Sequence, residues 1–188
     1  MKVVFTMGGI THYLSPLLDN VVRKGVDVVM VIPSVKDNQT IGKGVKLVNN
    51  EALYQVRYSE IKQGWYGKTI LTDLKTILNE EKPDIVVLGW PYFLQYFFDR
   101  QLRLLIKENN IKLIIREIPF QVPPFGQLSY FKENPVYDEN MILQSRGMSF
   151  FIRALCTMYI RKFVYKHADA TINYASCAYD IFAFIWSE

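Results

Sequence analysis

Residues 2–33 decide the fold: Lys2-Val3-Val4-Phe5-Thr6-Met7-Gly8-Gly9, then the stretch 13–24, then Gly25 and Val26-Asp27-Val28-Val29-Met30-Val31-Ile32-Pro33. Residues 2–7 are β-branched and aromatic without alternation, which predicts a buried strand stopped by the glycine pair. In 13–24, Leu14, Leu17, Leu18, Val21 and Val22 recur at helical spacing, and Gly25 ends the helix. Residues 26–32 form a second continuous apolar strand closed by Pro33. Strand, turn, helix, glycine and strand in so short a span make a βαβ unit, whose crossover should be right-handed.

Working outward, the pattern recurs. A polar loop at 36–44 leads to two short strand candidates, 45–48 as the central one and 54–58 as the weaker. A helix is expected over 67–81, a strand over 84–89, a helix over 92–109 and a strand over 112–116. A long helix is expected over 148–167, a last strand over 170–174 and a helix over 175–185. Continuous apolar strands alternating with helices predict a doubly wound, mostly parallel α/β sheet covered on both faces. Segment 118–147 breaks the pattern: four prolines, two glycines and several aromatics mark a long loop that packs on something.

Composition narrows the class. The 188 residues are 50% hydrophobic and 14% aromatic, which suits one sizeable core and excludes disorder. Two cysteines cannot make a disulfide framework, and Cys156, Cys177, His12 and His167 form no zinc cluster, so no metal is expected. The longest uncharged stretches, 85–98 and 118–131, are 14 residues each and contain proline, below the ~18 that suggest a membrane span. The net charge of +4 is uneven: 141–168 holds five basic residues, Arg146, Arg153, Arg161, Lys162 and Lys166, and no acid. Such a segment, interleaved with aromatics, suggests an anionic partner, with membrane surface and nucleic acid both open at this point.

Ligands of open α/β sheets bind where strand C-termini meet the following loops. Those loops carry Gly8-Gly9-Ile10-Thr11-His12, Gly89-Trp90-Pro91-Tyr92 and Glu117-Ile118-Pro119. G-x-G-x-x-G with an acid after the second strand is absent, because only a glycine pair is present and that strand ends in Ile32-Pro33. The phosphate-binding loop G-x-x-x-x-G-K-[ST], receiver acids and a G-x-S-x-G elbow are missing as well. What remains is a Gly-Gly turn at a helix N-terminus, suited to an anion such as a diphosphate, or simply a tight strand-to-helix turn.

Taken with Tyr13-Leu14, the strands 84–89 and 113–117, and Ala168-Asp169-Ala170-Thr171-Ile172-Asn173-Tyr174-Ala175-Ser176, this order resembles the N-terminal domain of GT-B glycosyltransferases, especially family-4-like retaining enzymes. The resemblance covers nearly the whole chain and rests on order and spacing. It implies that residues 1–188 form one Rossmann-like, acceptor-side domain whose C-terminal donor domain is absent or is a separate subunit. It further implies transfer of a sugar from a nucleotide-sugar to a glycan or lipid-linked acceptor, inactive without the other half. No cofactor is expected, the nucleotide-diphosphate-sugar being substrate, and no nucleic acid. The implied location is the cytoplasm, with peripheral contact at the inner membrane face. Two alternatives stand beside it, a non-catalytic recruiting subunit and an unrelated small-ligand-binding α/β module.

Gly8 and Gly9 are expected at the donor phosphate, and Thr11, Trp90 and Tyr92 at the acceptor, the aromatic faces stacking on sugar rings. Glu117 and His12 are the expected catalytic groups, for proton transfer or contact with a phosphate or hydroxyl. For Glu117 the alternative is an ion pair with Arg116 or Lys112. The five basic residues of 141–168 are expected at the membrane surface. Asp19, Asp99 and Glu108 are expected on solvated helix faces, and both cysteines in the core.

Overall fold

The computed structural model describes residues 1–35, 46–47, 52–117, 123, 125–135, 142–143 and 146–173. Eight strands and six helices follow in the order β1 Lys2–Thr6, α1 Leu14–Arg23, β2 Asp27–Pro33, β3 Gln55–Ser59, β4 Ile61–Gln63, β5 Thr69–Leu71, α2 Leu74–Glu81, β6 Ile85–Gly89, α3 Tyr92–Phe98, α4 Arg100–Glu108, β7 Lys112–Glu117, α5 Tyr130–Glu133, α6 Met148–His167 and β8 Ala170–Asn173. Six strands form one sheet in the order β3-β2-β1-β6-β7-β8, and β4 pairs with β5 in a separate hairpin. The registers of β1 with β2 and β6, of β2 with β3 and of β6 with β7 are all parallel. The doubly wound α/β fold expected from the sequence is therefore present.

The sheet buries both faces, as continuous apolar strands require. Val3, Phe5, Met7, Val28, Met30, Ile32 and Val87 pack with Leu14 and Leu18 of α1. The alternate positions Val4, Val29, Val31, Val86 and Leu88 are buried as fully, because successive strand residues point to opposite faces. Thirty-odd such side chains, each contributing roughly 1.5–3 kcal/mol on burial, are what hold the fold against chain entropy.

The chain divides into two compact units. One comprises Met1–Arg116 with Ala168–Thr171, the other Glu117–His167 with Ile172–Glu188.

Four local expectations are corrected. The central strand after β2 is β3, paired in parallel with β2; in the 45–48 candidate only Lys46 and Leu47 are described, and Leu47 makes a lone antiparallel bridge to Thr11. The helix expected from residue 67 starts at Leu74, because Thr69-Ile70-Leu71 is a β-favouring run that pairs with 61–63. Within that pairing, the side-chain amide of α3's Gln95 donates to the Leu71 carbonyl at 2.9 Å and accepts its N–H at 3.1 Å.

The helix expected over 92–109 breaks at Asp99, whose extended backbone ends α3 and whose carboxylate caps α4 by accepting the Gln101 and Leu102 amides. Asp99 is thus a cap, paired with Lys75 at 2.9 Å. Burial alone would raise its pKa, but Lys75 and the two amides outweigh it and hold the carboxyl below its usual value. Cys156, expected in the core, is exposed, since α6 carries apolar residues all round and buries only part of itself. Helix α6 and strand β8 otherwise match expectation; Cys177, the loop 36–44 and the helix 175–185 lie outside the described residues.

Candidate functional site

The strand order puts the first strand between the second and the fourth of the sheet, so connections leave β1 and β6 in opposite directions. This is the topological switch point of a doubly wound sheet, where a crevice opens beyond the strand ends. The ladders change character at that point. Strand β1 stays with β2 through Thr6↔Val31, and the Met7 amide still donates to the Val31 carbonyl at 3.1 Å. Its register with β6 stops at Phe5↔Val87. Past that point the Thr6 hydroxyl stands in for the ladder, donating to the Val87 carbonyl at 3.1 Å and accepting the Gly89 amide at 3.2 Å. The direct backbone ladder between the two strands therefore ends there, and Gly89 stays close to the Thr6 carbonyl.

The turn after β1 forms one lip. Gly8 and Gly9 are buried, and neither has a positive φ, so the turn itself does not demand glycine. Thr11 is 3% exposed, and its hydroxyl is buried with no hydrogen-bond partner. A buried orphan hydroxyl costs free energy unless something else satisfies it. Helix α1 begins without a side-chain cap and without an acid in its first turn, so no acid of its own meets the positive end of its dipole.

His12 is exposed. Its amide donates to the Lys46 carbonyl at 3.1 Å, and ring Nδ1 lies 3.3 Å from the same oxygen. A carbonyl only accepts, so Nδ1 carries the proton in this contact, which leaves Nε2 for another partner.

The other lip is Gly89-Trp90-Pro91, with a cis Trp90–Pro91 bond. Trp90 is part-exposed, edge-on to Phe93 at 5.4 Å, with the Lys68 ammonium 5.7 Å over its ring. Tyr92 is fully buried, and its hydroxyl donates to the Met7 carbonyl at 3.4 Å. It ties one lip to the other and presents no ring face to solvent. Arg116 is also buried, its guanidinium donating to Met7 Sδ at 2.8 Å. Thr6 and Arg116 were not singled out from the sequence; Thr6 could have been, as the one hydroxyl in an otherwise apolar strand.

In the second unit, Glu117 is 5% exposed and held by a fork from Arg161: Nη2 to Oε1 at 2.7 Å, Nε to Oε1 at 3.0 Å and to Oε2 at 3.2 Å. Its partner is thus neither Arg116 nor Lys112, the latter pairing with Asp169. Burial raises the Glu117 carboxyl and Arg161 pulls it back, the direction being upward. Arg161, expected at a membrane surface, is instead turned onto this carboxylate, because one fork-shaped donor satisfies both buried oxygens. Arg146 lies over Phe131 and Phe150 and donates to the Asn134 carbonyl, Lys162 lies over Phe125, and Arg153 and Lys166 are exposed. Among the described residues no helix is long and apolar enough to cross a membrane, and no group of His, Cys, Asp and Glu could hold a metal.

No protein-family model and no curated protein matches the chain. Solved structures of similar fold include the Bordetella bronchiseptica enzyme WbmH in complex with NAD+, at 14% identity and TM-score 0.42, covering 92% of this chain and 55% of that one. A dTDP-glucose 4,6-dehydratase from Bacillus anthracis in complex with NAD gives 13% identity, TM-score 0.45 and coverage of 92% and 54%. A UDP-glucose 4-epimerase from Thermotoga maritima with UDP-glucose gives 15%, 0.40, 93% and 55%. The chain spans about half the length of these proteins, and at such identities and scores the likeness is one of fold. Two expectations are corrected by it. The three structures named are described with NAD or as sugar-nucleotide enzymes and none as a glycosyltransferase, so the GT-B resemblance is not upheld; the alternation and glycine pair that suggested it belong to doubly wound sheets at large. Against the expectation of no cofactor, two of the three named structures are described in complex with NAD.

Proposed function

We infer that this chain is the nucleotide-binding part of an enzyme acting on sugar nucleotides, and that it holds the diphosphate of its ligand at the C-terminal ends of β1 and β6. The observation that carries this reading is the buried Thr11 hydroxyl without a hydrogen-bond partner just past the Gly8-Gly9 turn, at the switch point where the Thr6 hydroxyl replaces the β1–β6 ladder. The Gly-Gly turn and the start of α1 supply amides and a dipole to the phosphates, and the Thr11 hydroxyl gains the acceptor it lacks. Trp90 offers its exposed edge to a ring at the mouth. Of the two groups expected to move protons, His12 keeps a free nitrogen, whereas both oxygens of Glu117 are engaged by Arg161; His12 is therefore the proposed proton-transfer group.

The test is thermal unfolding with UDP, UDP-glucose and NAD+ in turn, on the chain and on Thr11→Val. A ligand at ~100 times its Kd should stabilise the chain by about 2.7 kcal/mol. Thr11→Val removes a buried unsatisfied hydroxyl, so the free variant should be no less stable, or up to ~1 kcal/mol more, while its response to ligand falls. Unchanged melting with all three ligands, or an undiminished response in Thr11→Val, overturns the reading. Which of the three binds tells a dinucleotide site from a sugar-nucleotide site.

A further inference from the structure

A second cavity lies in the first unit, away from the Gly-Gly turn, between the β4–β5 hairpin and the α3–α4 junction. Its volume is about 450 Å³, within the ~300–1,000 Å³ common for small-molecule sites. Its walls combine two kinds of group. The aromatic side is Trp65, Tyr66 and Phe98, with Tyr66 and Phe98 stacked at 4.4 Å and Trp65 edge-on to Phe98 at 4.8 Å. Trp65 is 83% exposed, so the indole shows its surface to solvent, an unusual fate for so large an apolar ring.

The polar side has unspent donors. The Tyr66 hydroxyl is buried without a partner, and burial, with the nearby Asp99 charge, pushes its pKa up to about 12, so it stays a neutral donor. Lys62 and Arg100 line the cavity and form no ion pair among the described residues. Asp99, the acid of the lining, is already neutralised by Lys75 and committed to capping α4. The site therefore has a positive balance.

We propose that this cavity binds an acidic saccharide, a sugar bearing a carboxylate. A single exposed indole face suits the C–H face of a pyranose. The Arg100 guanidinium and Gln101 amide are planar forks suited to vicinal hydroxyls or a carboxylate, and Lys62 adds a point charge. A nucleobase would leave most of these donors unmet. The site does not depend on nucleotide binding at the strand ends, although helix α3 and the Lys68–Trp90 contact lie between the two.

The test is calorimetric titration of the full chain with a galacturonate disaccharide, the matched neutral galactose disaccharide and UMP. The acidic disaccharide should bind saturably, and the neutral one about tenfold more weakly, the loss expected for a charged hydrogen bond. Trp65→Ala should abolish binding of both sugars with the circular dichroism spectrum kept, since the side chain is exposed. Lys62→Gln and Arg100→Gln should bring the acidic sugar down to the affinity of the neutral one. No binding of the acidic disaccharide, binding unaltered in Trp65→Ala, or tighter binding of UMP than of either sugar overturns the proposal.

Discussion

Strand β2 and helix α6 are both rich in apolar residues, yet they meet opposite fates. From Val28 to Ile32 every side chain of β2 is buried, four of the five at 2% exposure or less. Helix α6 buries Met158, Val164 and Tyr165 and leaves Met148, Ile152 and Tyr159 more than half exposed. The difference is geometric. A parallel strand inside a sheet has two faces, and helices cover both. A helix with apolar residues all round can set only one side against a neighbour. Helix α6 adds to its few buried side chains a buried polar clasp, Arg161 on Glu117, whereas the middle of β2 is held by apolar area.

The largest expected effect comes from opening that clasp. Arg161→Ala leaves a carboxylate buried without its cation and should cost about 3–5 kcal/mol in urea unfolding at neutral pH. Without Arg161 to oppose burial, the Glu117 pKa rises further in the folded state. The folded form then takes up a proton before the unfolded one does, so the deficit is full above the raised pKa and shrinks as pH falls through it. A deficit that stays constant from neutral to acid pH would show that area, and not the ion pair, anchors this helix.

A middle effect belongs to the first unit. Asp99 and Asp169 both have lowered pKa values: burial raises each, but Lys75 with two amides in one case, and Lys112 with the Leu113 amide in the other, outweigh it. Their contribution is present above the ordinary carboxylate pKa of about 3.9 and is lost as pH falls through the lowered folded values. Asp99→Ala should cost about 1 kcal/mol, as for other N-caps, and should flatten the acid limb of the stability curve. An acid limb unchanged in the variant assigns it to other carboxylates.

The smallest effect sharpens the comparison from the exposed side. Ile152→Ser should alter stability by no more than about 0.5 kcal/mol. A loss of several times that would mean that the apolar face of α6 is covered in solution, as the faces of β2 are.

The regions differ in how far they could be read in advance. The sheet was legible because burial on both faces writes itself as Val-Val-Phe and Val-Val-Met-Val-Ile, and β1, β2, β6 and β7 stand within a residue or so of their expected bounds. The length of α6 was legible from Gly147 and Ala168-Asp169 at its ends. The hairpin was not: Ile70, Leu71 and Leu74 fit a helical stripe as well as a strand followed by a helix, and only pairing with 61–63 decides between them. Asp99 was hidden because an aspartate in a periodic run looks solvated until its backbone is seen to leave the helix. In the site, Gly8-Gly9 could be placed from order alone. Partners such as Arg161, 44 residues from Glu117, could not, since no local pattern encodes a contact at that separation.

Gln95 has one more consequence. The outer edge of β5 would present the Leu71 N–H and carbonyl to any passing strand, and a two-stranded ribbon has little else to stop such addition. The Gln95 amide occupies both groups at once, imitating one residue of a neighbouring strand while belonging to a helix that cannot propagate the ladder. The edge is thereby terminated without the proline or charge usually placed there. A chain with Gln95 replaced by Leu would carry an open template for self-association, and its fault would appear as turbidity on standing before it appeared as lost structure.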